Sequence, residues 1–245
     1  MIIKPGSLFN YFFCSVIRLF PQKARFKATF KISQKLQPLI KKTSTFNGLS
    51  NVNRIDGPDE IALNMLLETL TTHGIKFDLD VTVTGVENLT IAVNRRNGVV
   101  FVTAHGLSRL AATYLTKNNY LPQFISIEPV ILIPGTCKRV NGIVPCNSYL
   151  FKVRNSLRDG KLIGAMLDLH PIQNRTIEMT TVLGPVSIAT PLFKIALHTG
   201  ASIIYSKHYI KNGKVHYVMA MPTINDQHNE FTLAQEFATF LSNKS

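Results

Sequence analysis

The sequence predicts an α/β protein, a three-layer αβα sandwich around a mixed, mostly parallel sheet. Three observations lead there. Short continuous apolar runs at 99–103 (VVFVT), 162–169 and 202–205 are of the kind that marks strands covered on both faces. Segments with helical apolar spacing lie between them, the alternation that builds a sheet with helices on either side. Late in the chain, Lys211-Asn212-Gly213 joins two alternating segments, which adds an antiparallel hairpin at 209–217.

Each element has its own signal. Residues 59–73 form a helix, with Asp59 and Glu60 at its positive end and Ile61, Met65, Leu66 and Leu70 on one face; Gly74 stops it. Residues 77–83 alternate as a half-buried strand through Phe77, Leu79, Val81 and Val83. After Gly85 comes a helix at 87–95, then the buried strand 99–103 and a helix at 108–117. Residues 124–130 alternate again, and 130–133 is apolar up to Pro134-Gly135. A helix at 147–158 stops at Asp159-Gly160, and strand 162–169 follows. A helix at 189–199, strand 202–205, the hairpin and a closing helix at 231–241 complete the set.

The chain has 245 residues, 45% hydrophobic and 17% charged, enough for one substantial core. No run reaches the ~18 apolar residues of a spanning helix. Cys14, Cys137 and Cys146 form no paired framework and no zinc spacing, so neither a disulfide scaffold nor a structural metal is expected. Without GxGxxG or GxxxxGK[ST], no dinucleotide or nucleotide cofactor is expected.

Charge divides the chain. Residues 1–55 carry ten Lys/Arg and no Asp or Glu, whereas the rest carries 17 basic and 14 acidic side chains. We therefore separate a basic amphipathic N-terminal segment, 1–55, from an α/β domain, 56–245. The near-neutral domain argues against a nucleic-acid partner. The segment mixes its cations with Phe9, Phe12, Phe13, Ile17, Leu19 and Phe20, which suits a membrane surface contacted through residues 8–42. A targeting peptide and a helix pair packed on the domain are the other readings of this stretch.

Ligands in open α/β sheets bind where strands end. Thr103-Ala104-His105-Gly106 is the leading candidate, because a buried strand there delivers a histidine that can serve as general base. Ser108 lies close in sequence and is a candidate substrate contact, although no GxSxG elbow surrounds it. Asp168 and His170 close the next central strand and can share a mouth with His105. Asp-x-His with a distant histidine is too loose a pattern to predict a metal.

The order of segments resembles the lipid A biosynthesis lauroyl/myristoyl acyltransferase family, of the glycerolipid-type acyltransferase fold. The likeness runs through Leu-Phe-Pro at 19–21, VTVTGVENLTIAVNRRNGVVFVTAHG at 81–106, VRNSLRDGKLIGAMLDLHP at 153–171 and VLGPVSIATPLFKIALHTGASII at 182–204. The resemblance implies transfer of a fatty acyl group from acyl carrier protein or acyl-CoA to a hydroxyl or amine. It also implies peripheral attachment at the cytoplasmic face of the inner membrane, and no cofactor. His105 would be the base, Asp168 a supporting carboxylate, and Arg154 and Lys207 contacts to the carrier or the oxyanion. One departure stands out: in the family's His-x4-Asp/Glu motif the acidic position is here Leu110. An acyltransferase-like protein that binds lipid or acyl carrier without turnover is the alternative.

Overall fold

The computed structural model describes residues 8–41, 58–104, 107–146, 148–168, 175–181 and 184–243. It is an α/β sandwich. Among the described residues there are eight helices: α1 (Leu8–Arg18), α2 (Gln22–Lys41), α3 (Pro58–Thr72), α4 (Val86–Asn94), α5 (Ser108–Lys117), α6 (Tyr149–Arg158), α7 (Pro191–Thr199) and α8 (Glu230–Ser242). The strands are β1 (Val81–Thr84), β2 (Val99–Thr103), β3 (Gln123–Ile125), β4 (Val130–Leu132), β5 (Arg139–Ile143), β6 (Leu162–Met166), β7 (Thr176–Thr181), β8 (Gly184–Ala189), β9 (Ser202–Lys211) and β10 (Lys214–Ala220). Eight of them form one sheet in the order β1-β10-β9-β2-β6-β3-β5-β4, and β7 and β8 pair separately.

The strand that reads most apolar is central. Every residue of β2 is buried, and it pairs parallel to β6 on one side and β9 on the other. Its side chains alternate between layers, as strand geometry demands. Val99 and Phe101 join a cluster with Leu89 and Ala92 of α4 and Ala111 and Leu115 of α5. Val100 and Val102 join the opposite cluster, with Val153 and Leu157 of α6, Phe193 of α7 and Phe237 of α8. A third cluster holds α1, α2 and α3 together through Phe13, Ile17, Phe26, Leu66 and Leu70, and reaches Phe77, Leu107, Leu110 and Val215. The N-terminal helices thus share a core with the start of α5.

Two departures from the sequence reading have physical causes. The alternation at 77–83 yields a ladder only over Val81–Thr84, parallel to β10. Phe77 is buried instead against Phe26, ring centroids 5.9 Å apart, and its N–H donates to Gly135 O at 3.2 Å. Alternation there reports burial, not pairing. The reading also divides β9, placing a buried strand at 202–205 and a hairpin arm later. It is one ten-residue strand whose first half is parallel to β2 and whose second half turns through Asn212 and Gly213, both at positive φ, into β10. β5 and the β7–β8 ribbon escaped notice because RVNGI and TIEMTT carry no apolar run.

Candidate functional site

The carboxyl ends of β2 and β6 lie side by side, next to the middle of β9, and the chain leaves them toward opposite layers. After β2 it enters α5, which packs in the cluster with Phe101. After β6 it forms the β7–β8 ribbon and α7, which pack in the cluster with Val102. In open α/β sheets, a divergence of this kind is the usual ligand position.

The main chain of Leu167 fastens this edge. Its N–H donates to Thr103 O at 3.0 Å, and its carbonyl accepts from Ala189 N–H at 2.9 Å. Asp168 comes next, 7% exposed, its backbone bridged to Ile188 of β8. A carboxylate is therefore held beside the end of the central strand by main-chain pairing on two sides. Across from it, Ser108 opens α5 and donates its hydroxyl to the sulfur of Met166, the last residue of β6, at 3.1 Å. Ser108 is buried, while Met166 is partly exposed at the rim.

His105, Gly106 and His170 lie outside the described residues. The flanking Ala104 and Leu107 are both buried. Leu107 carries a contact that the sequence reading missed: its N–H donates to Nε2 of His208 at 3.1 Å. That acceptor role places the ring proton of His208 on Nδ1. Alternation carried through the whole of β9 would have signalled His208, since it falls on the face of Ile204, opposite Ile203 and Tyr205. A strand ended at Tyr205 hides it.

The remaining candidates lie apart from this edge. Lys207 is buried under α8, with its ammonium 4.8 Å from the Phe240 ring centroid. It donates to Phe240 O at 2.8 Å and to Asn243 O, so it serves the negative end of α8. Burial pulls its pKa below the ordinary lysine value. Arg154 lies on α6 with its guanidinium 5.0 Å over the Phe151 ring, and its Nε is buried without a hydrogen-bond partner among the described residues. Leu110, where the resemblance would have an acid, is 4% exposed within the cluster of Leu107, Phe77 and Leu66. No carboxylate occupies that position.

Among the described residues, no group of three or more His, Cys, Asp or Glu is arranged to hold a metal ion. None of the described helices is long and apolar enough to cross a membrane. A hollow of about 360 Å³ lined by Asn97, Gly200, Ser202 and Thr223 lies at the opposite, amino end of β9. Comparison with known protein families finds no family model that matches the chain, and no curated protein matches it in sequence.

Proposed function

We propose that the chain is an acyltransferase-like protein of a membrane surface. It would move a fatty acyl group from an acyl thioester, on acyl carrier protein or CoA, to a hydroxyl or amine of a lipid-like or metabolite acceptor. The observation that carries this reading is the end of β2. A fully buried central strand leads to the His105-Gly106 pair there, with Asp168 and Ser108 at the same edge. In this chemistry His105 takes the acceptor's proton as the oxygen or nitrogen bonds to the thioester carbonyl carbon. The C–S bond then breaks, and the thiol leaves with a proton returned by the histidine. Asp168 supplies the negative charge that Leu110 cannot.

Membrane attachment at the cytoplasmic face of the inner membrane belongs to the same proposal. Its support is that α1 is apolar on two opposite faces. Phe13, Cys14 and Ile17 are buried on the body, whereas Leu8 (89% exposed), Tyr11 (61%) and Phe12 (69%) face out, followed by Leu19 (84%). A helix with apolar side chains left over after packing is suited to lie in a lipid interface. Lys23, Lys27, Lys31 and Lys35 recur every four residues along the exposed side of α2, suited to anionic headgroups or an acidic carrier.

The burial of Leu110 favours a second reading, a homologue that binds lipid or acyl carrier without turnover. Losing the acid that orients a catalytic histidine costs on the order of 10⁴ in rate where it has been removed from a triad. Mass-spectrometric turnover with acyl-carrier-protein and acyl-CoA donors separates the two. Transfer that vanishes in His105→Ala and falls steeply in Asp168→Asn supports catalysis. Retained carrier or lipid binding with no turnover supports the second reading, and equal turnover in all three proteins would remove His105 as the site.

A further inference from the structure

The elbow between α1 and α2 meets the end of α3 around an open hollow of about 460 Å³, lined by Arg18, Gln22, Arg25, Gly74, Ile75 and Lys76. Three of the six lining residues are cations and none is an acid. Arg18 donates one N–H to His73 O, leaving four of its five guanidinium donors. Arg25 donates to Phe20 O, Lys76 O and Arg18 O, leaving two. The backbone bonds fix both guanidinium groups; neither they nor the exposed Lys76 ammonium forms an ion pair with a described carboxylate. Asp78, which accepts from Gln22 at 3.0 Å, is already paired with Lys117 at 2.7 Å.

Leu19 and Phe20, both exposed, form the elbow itself, so the cationic hollow opens directly beside the outward apolar face of α1. A soluble anion needs the cations alone. An amphiphile with a phosphate head and acyl chains fits both features at once. We infer that this hollow is a headgroup site for the phosphate of an anionic phospholipid, with α1 lying among the acyl chains beside it. The inference rests on the membrane-surface reading and adds a specific site to it. Arg18 and Arg25 present preset forks to the phosphate oxygens, and Lys76 adds a mobile charge.

The test is co-sedimentation of the full chain with phosphatidylcholine vesicles, with and without phosphatidylglycerol, alongside NMR titration with glycerol phosphate. Lys76→Gln removes one lining charge without touching a packed contact, and Lys31→Gln removes an exposed charge from α2 away from the hollow. We expect Lys76→Gln to lower partitioning onto anionic vesicles about fivefold or more, and Lys31→Gln, which removes one of the α2 charges suited to diffuse headgroup attraction, to lower it by a smaller factor. Equal losses would mean diffuse attraction and overturn the site. Wild-type binding that Lys76→Gln leaves unchanged would also overturn it while sparing the membrane reading. Vesicle binding that is absent in the wild type, or insensitive to Phe12→Ser, would remove the membrane reading and the site with it. Tight glycerol phosphate binding at Arg18 and Lys76, without preference for anionic vesicles, would reassign the hollow to a soluble phosphate.

Discussion

Nε2 of His208, near the end of β9, accepts the backbone N–H of Leu107, the residue that leads into α5. The contact joins two elements 101 residues apart at the edge where β2 leads toward the candidate His105. It fixes Leu107, the residue after the His105-Gly106 pair, by a hydrogen bond that depends on a neutral ring nitrogen. His208 is thus a positioning residue.

Replacing it separates positioning from folding. His208→Ala should leave the sheet intact and accelerate hydrogen exchange at the Leu107 amide, with His208→Asn restoring part of the protection through its carbonyl oxygen. If turnover is found, kcat should fall in the alanine variant and recover partly in the asparagine variant. Unchanged exchange at Leu107 in both variants would show that the contact does not hold the main chain there.

Lys207 gives a pH dependence with a definite sign. Its folded pKa lies below the ordinary lysine value because of burial. In the window just below that value the unfolded chain therefore holds more protons than the folded one. Stability supplied at this position accordingly rises with pH across the window. Urea midpoints measured from about pH 8 to about 10.5 should rise in the wild type relative to Lys207→Met. Parallel curves would contradict the burial of a charged amine there.

Gly98 immediately precedes the central strand at φ 79°, and a Cβ there would come within 2.8 Å of Leu157 Cα, besides striking the Leu157 carbonyl. Gly98→Ala should cost about 2–4 kcal/mol, combining left-handed backbone strain with a clash against the end of α6. Chemical denaturation measures it. A loss under about 0.5 kcal/mol would mean that β2 and α6 are less closely apposed.

Two of the three thiols report on the N-terminal helices by comparison. Burial pushes the Cys14 thiol up, with Arg18 partly opposing the shift. The exposed Cys146 thiol is pulled down, chiefly by its hydrogen bond with Ser148. At neutral pH, iodoacetamide should modify Cys146 at least about tenfold faster than Cys14. Equal rates would mean that α1 leaves the body freely in solution.

The parts of the fold legible in the sequence were those where composition and burial coincide. VVFVT had to be central, because no half-exposed strand tolerates five buried residues in a row. Asn212-Gly213 could be read as a turn because both positions need positive φ. Polar strands such as Arg139–Ile143 gave no such sign; pairing to β3 and β4 places them, and that is non-local. At the candidate edge, Asp168 is a candidate because it closes an apolar run, and Ser108 because it lies close to His105 in sequence. The family resemblance singles out Lys207 as a carrier or oxyanion contact, yet it is committed to the cap of α8. Only the facing of successive residues along β9 distinguishes it from His208, and that needs the strand's true length.

The packing of Leu110 reaches beyond catalysis. Its side chain belongs to the cluster that binds α1, α2 and α3 to the start of α5. A carboxylate in its place would be stripped of water among phenylalanine and leucine side chains, a transfer that costs several kcal/mol unless partners are supplied with it. That is a large fraction of the whole folding margin of a typical domain. Cohesion and reactivity therefore compete for one address: the acid that would sharpen a neighbouring histidine would also loosen the layer that α1 and α2 form on the body. Leu110→Asp cannot be a local repair. Only a coordinated change, in which the facing apolar residues give way as well, could carry an acid there.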